Sequence, residues 1–145
     1  MKPIDVETRC AIEALVTEHS YRVDHNQADR VHELYTTDGS LTGLATMNFS
    51  TPDGIRAWGV ERVKDTDTVV RHIQSNLRLY WDDNVLRGNL YYQMLRGDSY
   101  DTSNAAPVSM GEFDDEYALV DGNWRIRTRV ISRYFFPTPP PATSA

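Results

Sequence analysis

Histidine and a carboxylate can together move a proton without a metal or cofactor, and this chain places one of each at informative points. Asp24 lies in Tyr21-Arg22-Val23-Asp24-His25-Asn26, where a first amphipathic helix runs out, and His72 lies in Val69-Val70-Arg71-His72-Ile73, near the start of a long strand. A helix C-terminus repels negative charge, so a carboxylate there needs a local reason. If the two met, the carboxylate would hold a neutral imidazole in the tautomer that frees its other nitrogen as a base, and would stabilise the imidazolium that forms. That chemistry suits β-elimination, isomerisation through an enol, or an aldol-type ring closure. Read alone, each residue has a plainer explanation: His72 as a solvated strand histidine, Asp24 as the end of a helix.

The chain has 145 residues, 40% apolar and 25% charged, which suits one domain with one core. Its net charge of −6, with acidic and basic residues interspersed, argues against nucleic-acid or anionic-membrane partners, which need a basic footprint. No apolar run approaches the roughly 20 residues that span a bilayer. The segment Met1-Lys2-Pro3-Ile4-Asp5-Val6-Glu7 lacks an apolar leader core, so no signal peptide is expected. Cys10 is the one cysteine, which excludes an internal disulfide and a cysteine metal cluster and makes the cytoplasm the default location. His19, His25, His32 and His72 show no metal-ligand spacing, so no metal site is expected.

Ile12, Leu15, Val16, His19 and Val23 form one stripe at helical spacing across residues 4–23, which puts His19 on the buried face. Asn26 and Asp29 resemble a capping box opening a short helix with Ala28, Val31, Leu34 and Tyr35. Thr37-Asp38-Gly39 reads as a turn into a strand near 40–47. Thr51 as N-cap and Pro52 at the first helical position open a third helix carrying Ile55, Trp58 and Val63. From there to residue 136 the pattern has period 2.

Asp121-Gly122 is a strong signal for a two-residue hairpin. It would pair Leu119 with Trp124, Tyr117 with Ile126 and Phe113 with Val130 on one face, and Glu116 with Arg127 and Asp114 with Arg129 on the other. That register puts Arg125, Arg127 and Arg129 outside, with Arg133 beside them unless a bulge intervenes. A second hairpin turns near Asp82-Asp83-Asn84, joining strands of about 68–81 and 85–97, with Leu79 opposite Leu86 and Ile73 opposite Tyr92. One of its faces carries Leu77, Leu79, Leu86 and Leu90, the other His72, Gln74, Asn76 and Arg78. Three helices cannot cover both faces, so the leucine face is expected to meet another subunit in a homodimer or homotrimer. Residues 137–145, rich in proline, read as a disordered tail after a single domain at 1–136.

This layout of helix, short helix, strand, helix and four long strands resembles the SnoaL-like branch of the NTF2-like superfamily. The resemblance runs over residues 5–136. It is carried by Tyr-Arg-Val-Asp-His-Asn-Gln-Ala-Asp from Tyr21, by Arg71-His72-Ile73-Gln74-Ser75-Asn76, by Gly111-Glu112-Phe113-Asp114-Asp115-Glu116-Tyr117, and by Asp121-Gly122-Asn123-Trp124-Arg125-Ile126. It implies an α+β cone, with a curved, mostly antiparallel sheet wrapped round three helices and a pocket at the wide end. The pattern is most similar to scytalone dehydratase, hexachlorocyclohexane dehydrochlorinase and bile-acid dehydratase. In these an aspartate at the end of the first helix orients a strand histidine that abstracts a substrate proton. Asp24 and His72 match those positions; His19 stands where those enzymes carry another polar residue, a lysine or tyrosine in some.

The resemblance thus implies a cofactor-independent lyase (a dehydratase) or isomerase with catalytic His72 and Asp24. It would act on a small hydrophobic or aromatic cyclic substrate in a pocket with candidate binding residues His19, Tyr21, Trp58, Tyr91, Phe113, Asp115 and Tyr117. Because one fold hosts many functions, a non-catalytic binding or assembly domain is the alternative from a different class. A polyketide-cyclase-like enzyme, or a hydrolase similar to limonene epoxide hydrolase, is a further one; the latter's Asp-Arg-Asp water clamp has no match assignable from sequence.

Overall fold

The computed structural model describes residues 2–98 and 106–135; the proline-rich tail at 137–145 lies outside them. Helix α1 (Val6–Asp24) is capped by the Asp5 carboxylate, which accepts from the Thr8 backbone N–H. It buries Ile12, Leu15, Val16, His19 and Ser20 along one stripe. A 3-10 helix (Ala28–Leu34) follows. The expected Asn26 capping box is absent. Asn26 takes a left-handed backbone conformation (φ 58°) and Gln27 precedes the helix without a side-chain cap.

Strand β1 (Tyr35–Leu44) begins earlier than the sequence suggests and runs straight through Thr37-Asp38-Gly39, where an irregularity in its pairing absorbs the expected turn. A short β2 (Met47–Phe49), not anticipated, folds back on it. Helix α2 (Pro52–Arg62) starts as expected, with Thr51 Oγ1 accepting from the Gly54 N–H and proline in the first turn. It lies against the 3-10 helix at Gly59, where any Cβ would come within 2.1 Å of the Ala28 carbonyl oxygen.

Four strands then form an antiparallel meander: β3 (Thr68–Asp82), β4 (Val85–Asp98), β5 (Ala106–Val120) and β6 (Asn123–Phe135). Strand β1 joins the sheet parallel to β6, giving the order β2-β1-β6-β5-β4-β3. The sheet is curved and unclosed, with the helices on its concave side. The fold is the expected α+β cone. No helix among the described residues is long and apolar enough to cross a membrane.

Two bulges decide which side chains face inward. At the Asp121-Gly122 hairpin both residues have positive φ, and Leu119–Trp124 and Tyr117–Ile126 pair as expected. Beyond that point Arg127 is an extra residue, so Glu116 meets Thr128, Asp115 meets Arg129 and Phe113 meets Ile131. The expected partners were Arg127 for Glu116, Arg129 for Asp114 and Val130 for Phe113. One inserted residue moves every later side chain to the other face, so Arg129, Ile131 and Arg133 point inward.

The second bulge lies on β3, where Asn76 and Leu77 together oppose Leu90 and Asn76 has φ 57°. The hairpin loop is Asp83-Asn84, so Leu79 meets Gly88 rather than Leu86, and Tyr92 meets Gln74 rather than Ile73. Before the bulge His72 and Gln74 face inward; after it Leu77, Leu79 and Trp81 do. Leu79, Leu86 and Leu90 are buried in the chain's own core with Ile12, Leu15 and Phe113, and Leu77 packs against it. The face expected to bind a second subunit is therefore the monomer's interior, and that argument for a homo-oligomer falls. The convex face instead mixes Ile73, Tyr91 and Val130 with charged side chains.

Candidate functional site

Asp24 is the last residue of α1, and its carboxylate is held by one neighbouring residue at two points. Oδ2 accepts the backbone N–H of His72 at 2.7 Å, and Oδ1 lies 2.6 Å from His72 Nδ1. These two bonds supply the local reason for a carboxylate at the negative end of a helix dipole. The Arg71 guanidinium donates to the Asp24 carbonyl at 3.0 Å, and Gln74 Nε2 donates to Ser20 Oγ at 2.7 Å. Arg71, His72 and Gln74 of β3 thus stitch the strand to the end of α1. On the other side Arg22 bonds Glu18, Glu33 and the Arg30 carbonyl, fixing the helix end to the 3-10 segment. The dyad side chains are largely buried, His72 at 13% and Asp24 at 6% exposure.

His72 lines a cavity of about 220 Å³ between α1, α2 and the sheet. Much of its wall is apolar: Val23, Leu44, Met47, Trp58, Met94 and Ile131. Phe113 and Tyr92 continue this wall, their rings stacked 4.5 Å apart. With Nδ1 committed to Asp24, Nε2 is the nitrogen available to this cavity. A larger cleft of about 340 Å³ lies beside Asp24 but is more polar, and His72 does not line it.

Arg129 lies on the cavity floor, not outside as the sequence register had it, because without the bulge its parity is outward. Its Nε and Nη2 grip both oxygens of Asp115 at 2.8 and 2.6 Å, both side chains are fully buried, and Tyr117 donates to the same carboxylate at 2.7 Å. The guanidinium carbon stands 4.5 Å above the Phe113 ring. Burial works against its charge, but the Asp115 carboxylate and its hydrogen bonds outweigh this and hold Arg129 above the usual arginine range. Nη1 is buried with no partner among the described residues. Buried donors are rarely left so.

His19 also lines the cavity, with Nε2 3.0 Å from the Tyr35 hydroxyl. Burial, and then the nearby Arg129, His72 and Arg22, push its pKa well below the ordinary 6.5. It is a neutral histidine at physiological pH. Burial likewise raises the Tyr35 phenol.

Of the expected binding residues, His19, Trp58 and Phe113 line the cavity. Asp115 points inward but sits behind Arg129, and Tyr117 is packed below it in the core. Two placements need correction. Tyr21 is on the exposed side of α1, stacked on His25, since the buried stripe uses His19 and Ser20 instead. Tyr91 is on the convex face, because strand alternation gives the inward positions to Leu90 and Tyr92 on either side of it. Among the described residues no group of three or more His, Cys, Asp or Glu side chains could hold a metal ion.

Comparison with solved structures places this architecture among many others. The chain is 16% identical to ActVI-ORFA from Streptomyces coelicolor over 88% of this chain and 98% of that one, with a TM-score of 0.77. It is 19% identical to a type 2 hexachlorocyclohexane dehydrochlorinase (94% and 96% covered, TM-score 0.75). It is 21% identical to a candidate scytalone dehydratase from Novosphingobium aromaticivorans (97% and 95% covered, TM-score 0.67). At these identities the likeness speaks for the fold. No curated protein sequence gives a significant match. The model of the SnoaL-like domain matches residues 5–130, most of the chain: this protein belongs to the SnoaL-like family.

Proposed function

We propose that the chain is a cofactor-independent lyase or isomerase in which His72 is the general base. The observation that carries this reading is the two-point grip of Asp24 on the backbone N–H and Nδ1 of His72, beside an apolar-walled cavity. In the proposed step a C–H proton passes to Nε2. The electron pair of that bond forms a carbon–carbon double bond, while either a β-substituent leaves with its own pair or the π pair of a neighbouring carbonyl moves onto its oxygen as an enolate. Asp24 stabilises the imidazolium, which then returns the proton to the leaving group or to another carbon. Base help of this kind is worth about 10²–10⁴-fold.

Arg129 supports the other half of the reaction. Its unpartnered Nη1 is a buried donor held in place by the grip on Asp115, suited to an oxyanion or a departing group. A preorganised donor of that kind is worth roughly 10²–10³ in turnover. His19, neutral and hydrogen-bonded to Tyr35, is a polar neighbour that does not compete for the proton at neutral pH. An Asp-Arg-Asp water clamp, by contrast, needs a second carboxylate, and among the described residues Arg129 bonds Asp115 alone. The dyad favours this reading over that of a binding module, which has no use for an oriented base.

The test is proton exchange at carbon. In D₂O, NMR should show the protein accelerating loss of the α-protons of 2-tetralone over buffer, and His72→Ala should remove most of that acceleration. Exchange at the parental rate in His72→Ala would leave the binding module as the better reading.

A further inference from the structure

The charge of the cavity runs against the charge of the chain. The protein has 21 acidic and 15 basic residues. Yet no Asp or Glu is among the described residues lining the cavity, while Arg62, Arg96, Arg129 and Arg133 all are. A wall drawn at random from this composition would carry carboxylates.

The four arginines sit at two depths. Arg129 is on the floor, with its charge answered by Asp115. Arg133 stands four residues further along β6, about 13 Å of strand, and Arg96 stands four residues beyond buried Tyr92 on β4. Both rim arginines are exposed. Arg62 reaches the same cavity from the last turn of α2, its side chain 20% exposed and 3.9 Å from Asp65. Exposed arginines are commonly just solvated. Here, however, three separate elements bring them to one mouth, and the Arg127 bulge is needed to do it. Without the Arg127 bulge Arg133 would lie on the convex face, and without the Asn76 bulge His72 would not share an interior with the buried leucines.

The structure assigns this cavity to an organic anion: a mono- or bicyclic ring compound bearing a carboxylate. The ring lies against the apolar wall near His72 and the carboxylate sits among Arg62, Arg96 and Arg133 at the mouth. The size agrees, since about 220 Å³ is below the roughly 300–1,000 Å³ of most ligand pockets and leaves no room for a long polycyclic chain. The charge agrees too. A planar carboxylate matches the guanidinium fork, and a permanent anion at the rim keeps Arg129 free for charge that develops during reaction. This assignment rests on the lyase or isomerase reading for the orientation of the ring; its test does not.

Isothermal titration calorimetry with 2-naphthoate and its neutral counterpart 2-naphthamide, each against the full chain, decides it. Naphthoate should bind about tenfold or more tightly than naphthamide at low ionic strength, as charge-assisted pairing implies. Because arginine does not titrate, the preference should persist from pH 6 to 9 and shrink with added salt. The double variant Arg96→Gln/Arg133→Gln, altered only at the exposed rim, should lose most of the affinity for naphthoate and keep that for naphthamide. The inference is overturned if naphthamide binds as well as naphthoate, if the double variant weakens both alike, or if neither binds at millimolar concentration. Anion preference without His72-dependent exchange would sink only the catalytic reading; exchange without anion preference would sink only this one.

Discussion

Replacing Asp24 by asparagine should reverse the tautomer of His72, and the geometry dictates the direction. The two carboxylate oxygens accept from two different donors, the His72 backbone N–H at 2.7 Å and Nδ1 at 2.6 Å. Asparagine has one oxygen and one NH₂ at those positions. The backbone N–H cannot change its character, so the amide oxygen must stay with it, and the NH₂ is turned toward Nδ1. Nδ1 must then accept, which moves the ring proton to Nε2 and turns the base into a donor. Loss of base help predicts a fall of about 10²–10⁴ in turnover, or roughly 3–5 kcal/mol in barrier at about 1.36 kcal/mol per tenfold. The fold should lose far less, about 1–2 kcal/mol, because both hydrogen bonds survive in weaker, neutral form. The decisive assay needs no substrate: long-range ¹H–¹⁵N correlation on protein labelled at histidine nitrogen distinguishes the two tautomers. The parent should show a protonated Nδ1 and the variant a protonated Nε2. A variant that keeps Nδ1 protonated while remaining folded refutes the reasoning, whatever its activity.

Three further outcomes follow from the same structure. Asp115→Leu strands the buried Arg129 guanidinium and should cost about 3–5 kcal/mol in urea denaturation, while Asp115→Leu/Arg129→Met should recover most of it; equal losses in both would mean the pair is not the source. The buried His19 has a folded pKa below its unfolded one, so the unfolded chain takes up a proton that the folded chain refuses. Its contribution to stability is therefore full above about pH 6.5 and is lost as pH falls below that, at up to about 1.36 kcal/mol per pH unit. The loss between pH 7 and 5.5 should be smaller in His19→Gln by about 1 kcal/mol, and identical pH profiles would count against a buried neutral His19. Gly59→Ala places a methyl against the Ala28 carbonyl, two backbones that must part, and should lower stability by about 1–3 kcal/mol; an unchanged midpoint would mean that α2 is not packed so closely.

What the sequence determined by itself was most of what has a local physical signature, the Asn26 capping box and the Thr37-Asp38-Gly39 turn excepted. The stripe from Ile12 to Val23 makes α1 at any tertiary position, because its period is that of a helix. Thr51-Pro52 starts α2, and Asp121-Gly122 turns the last hairpin because both residues must adopt positive φ. The register within a few residues of that turn followed from the turn alone, as Leu119–Trp124 and Tyr117–Ile126 show. His72 and Asp24 were legible as candidates through the order of elements and the motif around each.

What only the tertiary structure decided was the facing of residues beyond each bulge. An inserted residue leaves almost no trace in composition, yet inverts strand parity for every residue after it. Extending the hairpin without the Arg127 bulge puts Arg129 and Arg133 in solvent. The observed pairing instead buries Arg129 on Asp115 and turns Arg133 to the cavity mouth. The same inversion at Asn76 moved Leu79 from an imagined subunit interface into the core, on the same side as His72. The curved sheet needs these bulges to wrap the helices, so their positions are set by the curvature of the whole sheet, a condition that no window of neighbouring residues contains.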